Sequence, residues 1–178
     1  MSLSVWVEVT ALRAMVIARS NPACGVSVIR LASHGSAAVG SDTTEWSTDG
    51  VVSVHVDLTN DGAREISDVV QVYLHDPVAQ VTRPDSQLIA FQRVTLAPAQ
   101  RASLTFRIHA DLTSFTGRDG IRLVEPGDVE LRVARSSADV HETVSLTLVG
   151  EARPADASRT LLAGAVVDLH PAADRGHR

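Results

Sequence analysis

Through the middle of the chain, apolar side chains fall at every second position. Val52, Val54, Val56 and Leu58 alternate with Ser53, His55, Asp57 and Thr59; Val70, Val72 and Leu74 alternate with Gln71, Tyr73 and His75. Leu104, Phe106 and Ile108 alternate with Ser103, Thr105, Arg107 and His109. The same period runs through Val129, Leu131 and Val133, and again through Val144, Leu146 and Leu148. A period of two belongs to an extended strand, because successive side chains leave its backbone on opposite faces. Each run therefore predicts one buried and one wetted face, the habit of antiparallel sheets. The stretch from Leu88 to Leu96 is less regular, and Phe91, Val94 and Leu96 are its expected anchors.

Turn chemistry separates the runs. Asn60-Asp61-Gly62, Ala97-Pro98, Gly117-Arg118-Asp119-Gly120 and Glu125-Pro126-Gly127-Asp128 all lie between them, and Pro77, Pro84 and Pro98 avoid their interiors. Strands at a spacing of roughly 10–15 residues predict an all-β fold, an immunoglobulin or fibronectin type III-like antiparallel β-sandwich over residues 46–150. The ends are less defined. In the N-terminal extension, residues 1–45, Val5, Val7 and Val9 alternate with Trp6 and Glu8, but Leu12, Met15 and Val16 also fit a helical stripe. Val26 and Val28 hint at a short strand there. The C-terminal extension, residues 151–178, holds one apolar run, Leu161 to Leu169, with room for one strand.

At 178 residues, the chain suits one domain with flanking material. Its net charge is −5, and aromatic residues make up 3%, so it lacks the basic face and stacking rings that a nucleic-acid partner requires. All sixteen basic residues are arginines, which excludes Schiff-base chemistry and a P-loop lysine. Cys24 is the lone cysteine and reads as a small buried hydrophobe. The apolar stretch from Ser2 to Ala18 is interrupted by Glu8 and Arg13. It is too short and too charged to cross a membrane and lacks the order of a signal peptide, so a cytoplasmic, membrane-free chain is expected.

Candidate chemistry is sparse. His55, His75 and His109 occupy outward strand positions, but no His-x-His or His-Glu-x-x-His spacing accompanies them. Gly25-Val26-Ser27-Val28-Ile29 only begins like a nucleophile elbow. Asp61, Asp76, Asp119 and Asp128 fall in turns, where bonding to nearby backbone already accounts for them. Trp6, Trp46 and Tyr73 are the candidate platforms for stacking on a sugar ring. The residues by themselves predict no catalytic, cofactor-binding or metal site.

Longer motifs carry a resemblance. Asp68-Val69-Val70-Gln71-Val72-Tyr73-Leu74-His75-Asp76-Pro77, then Val81-Thr82-Arg83-Pro84, resembles the C-terminal fibronectin type III-like domain of family-3 glycoside hydrolases. Gln87 to Pro98, Phe115-Thr116-Gly117-Arg118-Asp119-Gly120, Val124-Glu125-Pro126-Gly127-Asp128 and Ser136-Ser137-Ala138-Asp139 follow in the family's order. The Thr-Arg-Pro loop and the Thr-Gly-Arg-Asp turn are most similar to bacterial β-glucosidase and β-xylosidase members. The chain departs from the pattern at Ala90, Ala99 and Ala134, where the family usually has Gly, and at Asn60-Asp61-Gly62, where it has Asn-Thr-Gly. Ala99 is the departure to watch, since a Gly-to-Ala change is costly only where φ must be positive.

The resemblance implies a non-catalytic, stabilising domain of a parent enzyme that hydrolyses O-glycosyl bonds. Its partners would be the catalytic barrel and α/β domains, joined in cis. The family's nucleophilic Asp lies in a Ser-Asp-Trp-like motif of the barrel; this chain has only Ser41-Asp42-Thr43, so neither catalytic residue carries over. Because the resemblance stops near Trp46, residues 1–45 are expected to be non-homologous, disordered or mis-framed, on a truncated or partial chain. The alternatives are a stand-alone carbohydrate- or protein-binding sandwich, and a subunit acting in trans with a separate barrel.

Overall fold

A computed structural model describes residues 15–16, 29–34, 45–60, 62–155 and 158–171, the first two segments as backbone pairing only. Its strands in chain order are β1 (Met15–Val16), β2 (Ile29–His34), β3 (Glu45–Ser47), β4 (Val51–Thr59), β5 (Ile66–His75), β6 (Gln87–Leu96) and β7 (Arg101–His109). A single 3-10 turn, Ala110–Thr113, precedes β8 (Phe115–Thr116) and β9 (Arg122–Val124). Then come β10 (Gly127–Ser136), β11 (Asp139–Val149), β12 (Arg153–Pro154) and β13 (Ala165–His170).

Two five-stranded sheets result, ordered β1-β2-β4-β7-β13 and β3-β11-β10-β5-β6, with a small third sheet, β12-β9-β8. Pairing is antiparallel except where β3 runs parallel to β11. The alternation seen in the sequence sets the register. In the first sheet Val52 faces Ile108, Val54 faces Phe106, Val56 faces Leu104 and Leu58 faces Ala102. In the second, Val72 faces Val133 and Leu74 faces Leu131. The two inner faces meet in one core that includes Trp46, Phe106, Ile89 and Leu146. Each such side chain withdrawn from water contributes about 1.5–3 kcal/mol before the entropy cost of ordering it. β13 lies along the free edge of β7 over six residues, from Ala165 beside Phe106 to His170 beside Arg101.

β6 departs from the expected phase. Val72 pairs with Ala90 but Tyr73 pairs with Leu88, which leaves Ile89 as an extra residue on β6, a β-bulge. At the bulge both Ile89 and Ala90 turn inward. Phe91 stands an odd number of residues from Val94 and Leu96, so it leaves the opposite face, is 49% exposed and is not a core anchor. Val94 and Leu96 are buried as expected. Ile89 is held by the segment before β13, because its carbonyl accepts from the Ala163 amide at 2.7 Å.

The departures from glycine fall out in physical terms. Ala99 has φ +61° and is the sole non-glycine residue with positive φ among the described residues. Ala90 and Ala134 are fully buried beside the bulges of β6 and β10, with φ in the range open to any residue. Asn60, at the end of β4, is completely buried. Its Nδ2 donates to the carbonyls of Arg64 (2.8 Å) and Leu96 (2.9 Å), and its Oδ1 accepts from the Gly62 amide (2.9 Å). Its backbone pairs with Gln100 and Ala99, so one side chain ties the β4 end to the β6–β7 turn. Asp61, the middle residue of that turn, lies outside the described residues, as do Trp6, Cys24, Val26, Val28, Ser41 and Asp42.

Candidate functional site

The loops that carry the resemblance come together at one end of the sandwich. Asp76, just past β5, accepts from the Val78 amide at 3.2 Å and from Arg83 Nη1 at 2.5 Å. Both side chains of this ion pair are nearly buried, at 7% and 12% exposure, and the Arg83 guanidinium lies 5.1 Å from the centre of the Phe115 ring. A buried charge is tolerable only when paired, and the planar guanidinium can stack on a ring while bonding a carboxylate at its edge. His-Asp-Pro and Thr-Arg-Pro are thus two halves of one clasp that closes the β5–β6 loop over Phe115.

The neighbouring turn is locked to that loop. Arg118 Nε donates to the Gln80 carbonyl at 3.1 Å, and Gln80 Nε2 reaches Glu125 Oε2 at 3.4 Å. Within the turn, Asp119 Oδ1 accepts from the Ile121 amide at 3.0 Å, and Gly120 takes φ +80°, which suits glycine. A Cβ at Gly117 would stand 3.0 Å from Asp119 Oδ1 and 3.1 Å from Leu123 Cδ2, closer than the turn accommodates without shifting. Arg122 on β9 donates from Nε to Ser114 Oγ (3.0 Å) and from Nη2 to the Ser114 carbonyl (2.6 Å). Burial, and then the charges of Arg159 and Arg83, lower the pKa of its guanidinium from its ordinary value.

The residues singled out from the sequence are dispersed. Trp46 is a core residue at 3% exposure, with its indole N–H donating to the Gly50 carbonyl at 3.2 Å. It cannot serve as a sugar platform, because the parallel β3–β11 pairing puts it on the inner face opposite Leu148. Tyr73 faces outward as its phase requires, but it is 8% exposed, set between Leu88 and Arg132 with its hydroxyl bonded to Gln71. Phe91 is the exposed aromatic among the described residues. The three histidines do not converge. His55 bonds Thr105 on the first sheet, His109 Nδ1 accepts from the Asp111 amide and caps the 3-10 turn, and His75 belongs to the second sheet. Among the described residues no group of three or more His, Cys, Asp or Glu stands close enough to hold a metal ion. Asp76 and Asp119 do bond turn backbone, whereas Asp128 reaches across to Thr147 Oγ1 at 2.8 Å.

The clasp residues and the neighbouring turn fall within the stretch that matches known proteins. The fibronectin type III-like domain family matches residues 68–137, the segment from the third residue of β5 to just past the end of β10. A β-glucosidase of Rhizobium radiobacter is 42% identical over 106 residues, 59% of this chain and 13% of that protein. A β-xylosidase of Formosa agariphila is 36% identical over 108 residues, 60% of this chain and 15% of its own length. The fold matches the crystal structure of the Listeria innocua β-glucosidase in complex with glucose, with a TM-score of 0.59 at 26% identity. That match covers 70% of this chain and 17% of the other. The sandwich is a fibronectin type III-like domain of the family-3 glycoside hydrolases. Within this fibronectin type III-like domain, the loops that carry the resemblance have a structural explanation: the Asp76–Arg83–Phe115 clasp, the Gly117–Gly120 turn and the Arg122–Ser114 bonds each serve the fold. The domain spans about a seventh of the length of the curated relatives it matches.

Sequence reading missed Asn60 and the partnership of Arg83 with Asp76. The spacing of the two motifs was legible; their closure on one another depends on how a loop folds back, which periodicity does not report.

Proposed function

We propose that this fibronectin type III-like domain acts as the non-catalytic accessory part of a family-3 β-glycosidase, holding the catalytic barrel and α/β domains in place while contributing no reacting group. The observation that carries this reading is the pattern of coverage: relatives described as β-glucosidases and β-xylosidases match this chain along one domain while extending far beyond it. The side chains support it. Among the described residues the two sheets share one buried core, the charged groups at the loop end are mutually paired or bonded to backbone, and the exposed large apolar groups suit packing against another domain. Leu88, Phe91, Leu161 and Leu162 stand exposed near the edge of β6, where Ala163 bridges to Ala90. Apolar groups gathered on one side of a sandwich are commonly covered by a neighbour. A carbohydrate-binding role would need an exposed ring platform, and the burial of Trp46 and Tyr73 removes two of its three candidates.

A domain exchange tests the proposal. Replacing the matching segment of the Rhizobium radiobacter β-glucosidase with residues 45–171 should give a chimera that hydrolyses its substrate, whereas deleting the segment should leave an unstable, inactive enzyme. A deletion that keeps full activity and melting temperature would contradict an accessory, stabilising role.

A further inference from the structure

Three of the four strands at the edges of the two large sheets are blunted. β1 is two residues long and β3 is three. β6 carries the bulge at Ile89, and Ala163 bridges to it at Ala90. Short strands, bulges and covering segments are ordinary means by which a sheet edge avoids pairing with another chain. β13 has none of them. It runs six residues, Ala165-Val166-Val167-Asp168-Leu169-His170, in unbroken register along β7. It contains no proline, and among the described residues no strand pairs with its other edge. Val166 and Leu169 are 58% and 54% exposed, so this edge offers apolar side chains together with its backbone groups.

The strand is complementary to itself. Ala165 and Val167 pack on the core, which puts Ala165, Val167 and Leu169 in the inner row and Val166, Asp168 and His170 in the outer row. A two-fold axis normal to the sheet joins inner row to inner row, so it passes through a residue rather than between two. An axis at Asp168 sets two carboxylates directly opposite one another, which is destabilising. An axis at Val166 or Leu169 pairs only three residues of β13. An axis at Val167 pairs five: Ala165 with Leu169, Val166 with Asp168, and Val167 with its own copy. No like charges are directly opposed there, and each exposed Leu169 continues the apolar inner row beside the partner's Ala165. We propose that β13 is a docking edge for a second copy of this chain, paired antiparallel about a two-fold axis at Val167, which joins two five-stranded sheets into one continuous sheet. The proposal goes beyond the accessory role and does not rest on it.

The test reads association and register separately, both in the full chain. Sedimentation velocity from about 1 µM to about 1 mM spans the free energies that a short strand pairing supplies, and the mass should rise towards that of a dimer. Leu169→Lys, at an exposed position, should keep the fold and weaken association by about tenfold or more, because it removes apolar burial at both ends of the interface. Register is read by oxidative cross-linking of single cysteines in a Cys24→Ser background. Directly opposed residues have Cα atoms about 4.5–5.5 Å apart, within the disulfide range of roughly 4.4–6.8 Å. Val167→Cys should therefore give a disulfide-linked dimer much faster than Val166→Cys or Asp168→Cys. If the Cys24→Ser background fails to fold, sedimentation of the unsubstituted chain and of Leu169→Lys still decides. A monomer at every concentration, association unchanged in Leu169→Lys, or preferential linkage through Val166→Cys or Asp168→Cys would overturn the proposal.

Discussion

Asn60 and Ala99 share one hydrogen bond, from the Ala99 amide to the Asn60 carbonyl at 2.8 Å, and together they set the conformation of the β6–β7 turn. Asn60 spends both amide protons on buried carbonyls, those of Arg64 and Leu96. Asn60→Asp keeps the shape but removes both donors, and it places a carboxylate in a completely buried position. It should destabilise the fold by about 3 kcal/mol or more, read from urea unfolding midpoints. Ala99 is the opposite case. At φ +61° its Cβ crowds the backbone, a penalty of about 1–2 kcal/mol that glycine does not carry. Ala99→Gly should raise stability by up to about 1 kcal/mol after the greater freedom of glycine in the unfolded chain is deducted. No gain, or a loss, in the same assay would show that the turn accommodates the Cβ without strain. Ala99 was legible in the sequence because the family resemblance marks its position as a glycine site. The burial of Asn60 was not, since Asn-Asp-Gly reads locally as an exposed turn, and only the approach of Leu96 from another strand makes its side chain indispensable.

At the scale of elements, strict alternation located β4, β5, β7, β10 and the latter half of β11, because each strand has one face on the core and one in water. At β6 the reading failed twice: Phe91 lies at odd spacing from Val94 and Leu96 and so cannot share their face, and an inserted residue turns both Ile89 and Ala90 inward. Bulges add a residue without leaving a mark in composition, which hid the inward turn of both Ile89 and Ala90, whereas the outward face of Phe91 follows from its odd spacing to Val94 and Leu96. The contrast is measurable. Phe106 is fully buried between Val54 on β4 and Ala165 on β13. Phe106→Ala should cost about 3–5 kcal/mol. Phe91→Ser should change stability by only about 0.5 kcal/mol in the isolated chain, as surface substitutions do. A cost for Phe91→Ser approaching that of Phe106→Ala would place Phe91 in the core and contradict its outward face. The 3-10 turn after β7 shows a different limit: His109 was expected as an outward strand residue, and it also caps that turn by accepting from the Asp111 amide.

For the molecule as a whole, two sheets close around one core, and the loops at one end are tied down by ion pairs and backbone bonds. Among the described residues, the candidate chemistry read from the sequence takes structural roles in this frame. Trp46 is core, Tyr73 is covered, and the histidines are divided between the sheets or occupied in local bonds. What remains on the surface is a set of exposed apolar side chains near β6, suited to packing against a neighbour. The central claim is that the fibronectin type III-like domain supplies structure to a glycosidase and no chemistry of its own. Its most direct test is to assay the purified chain against aryl β-glucosides and aryl β-xylosides. The account predicts release of the aryl group at the level of a mock preparation. Turnover above that level, abolished by replacing an aspartate or glutamate of this chain, would contradict it.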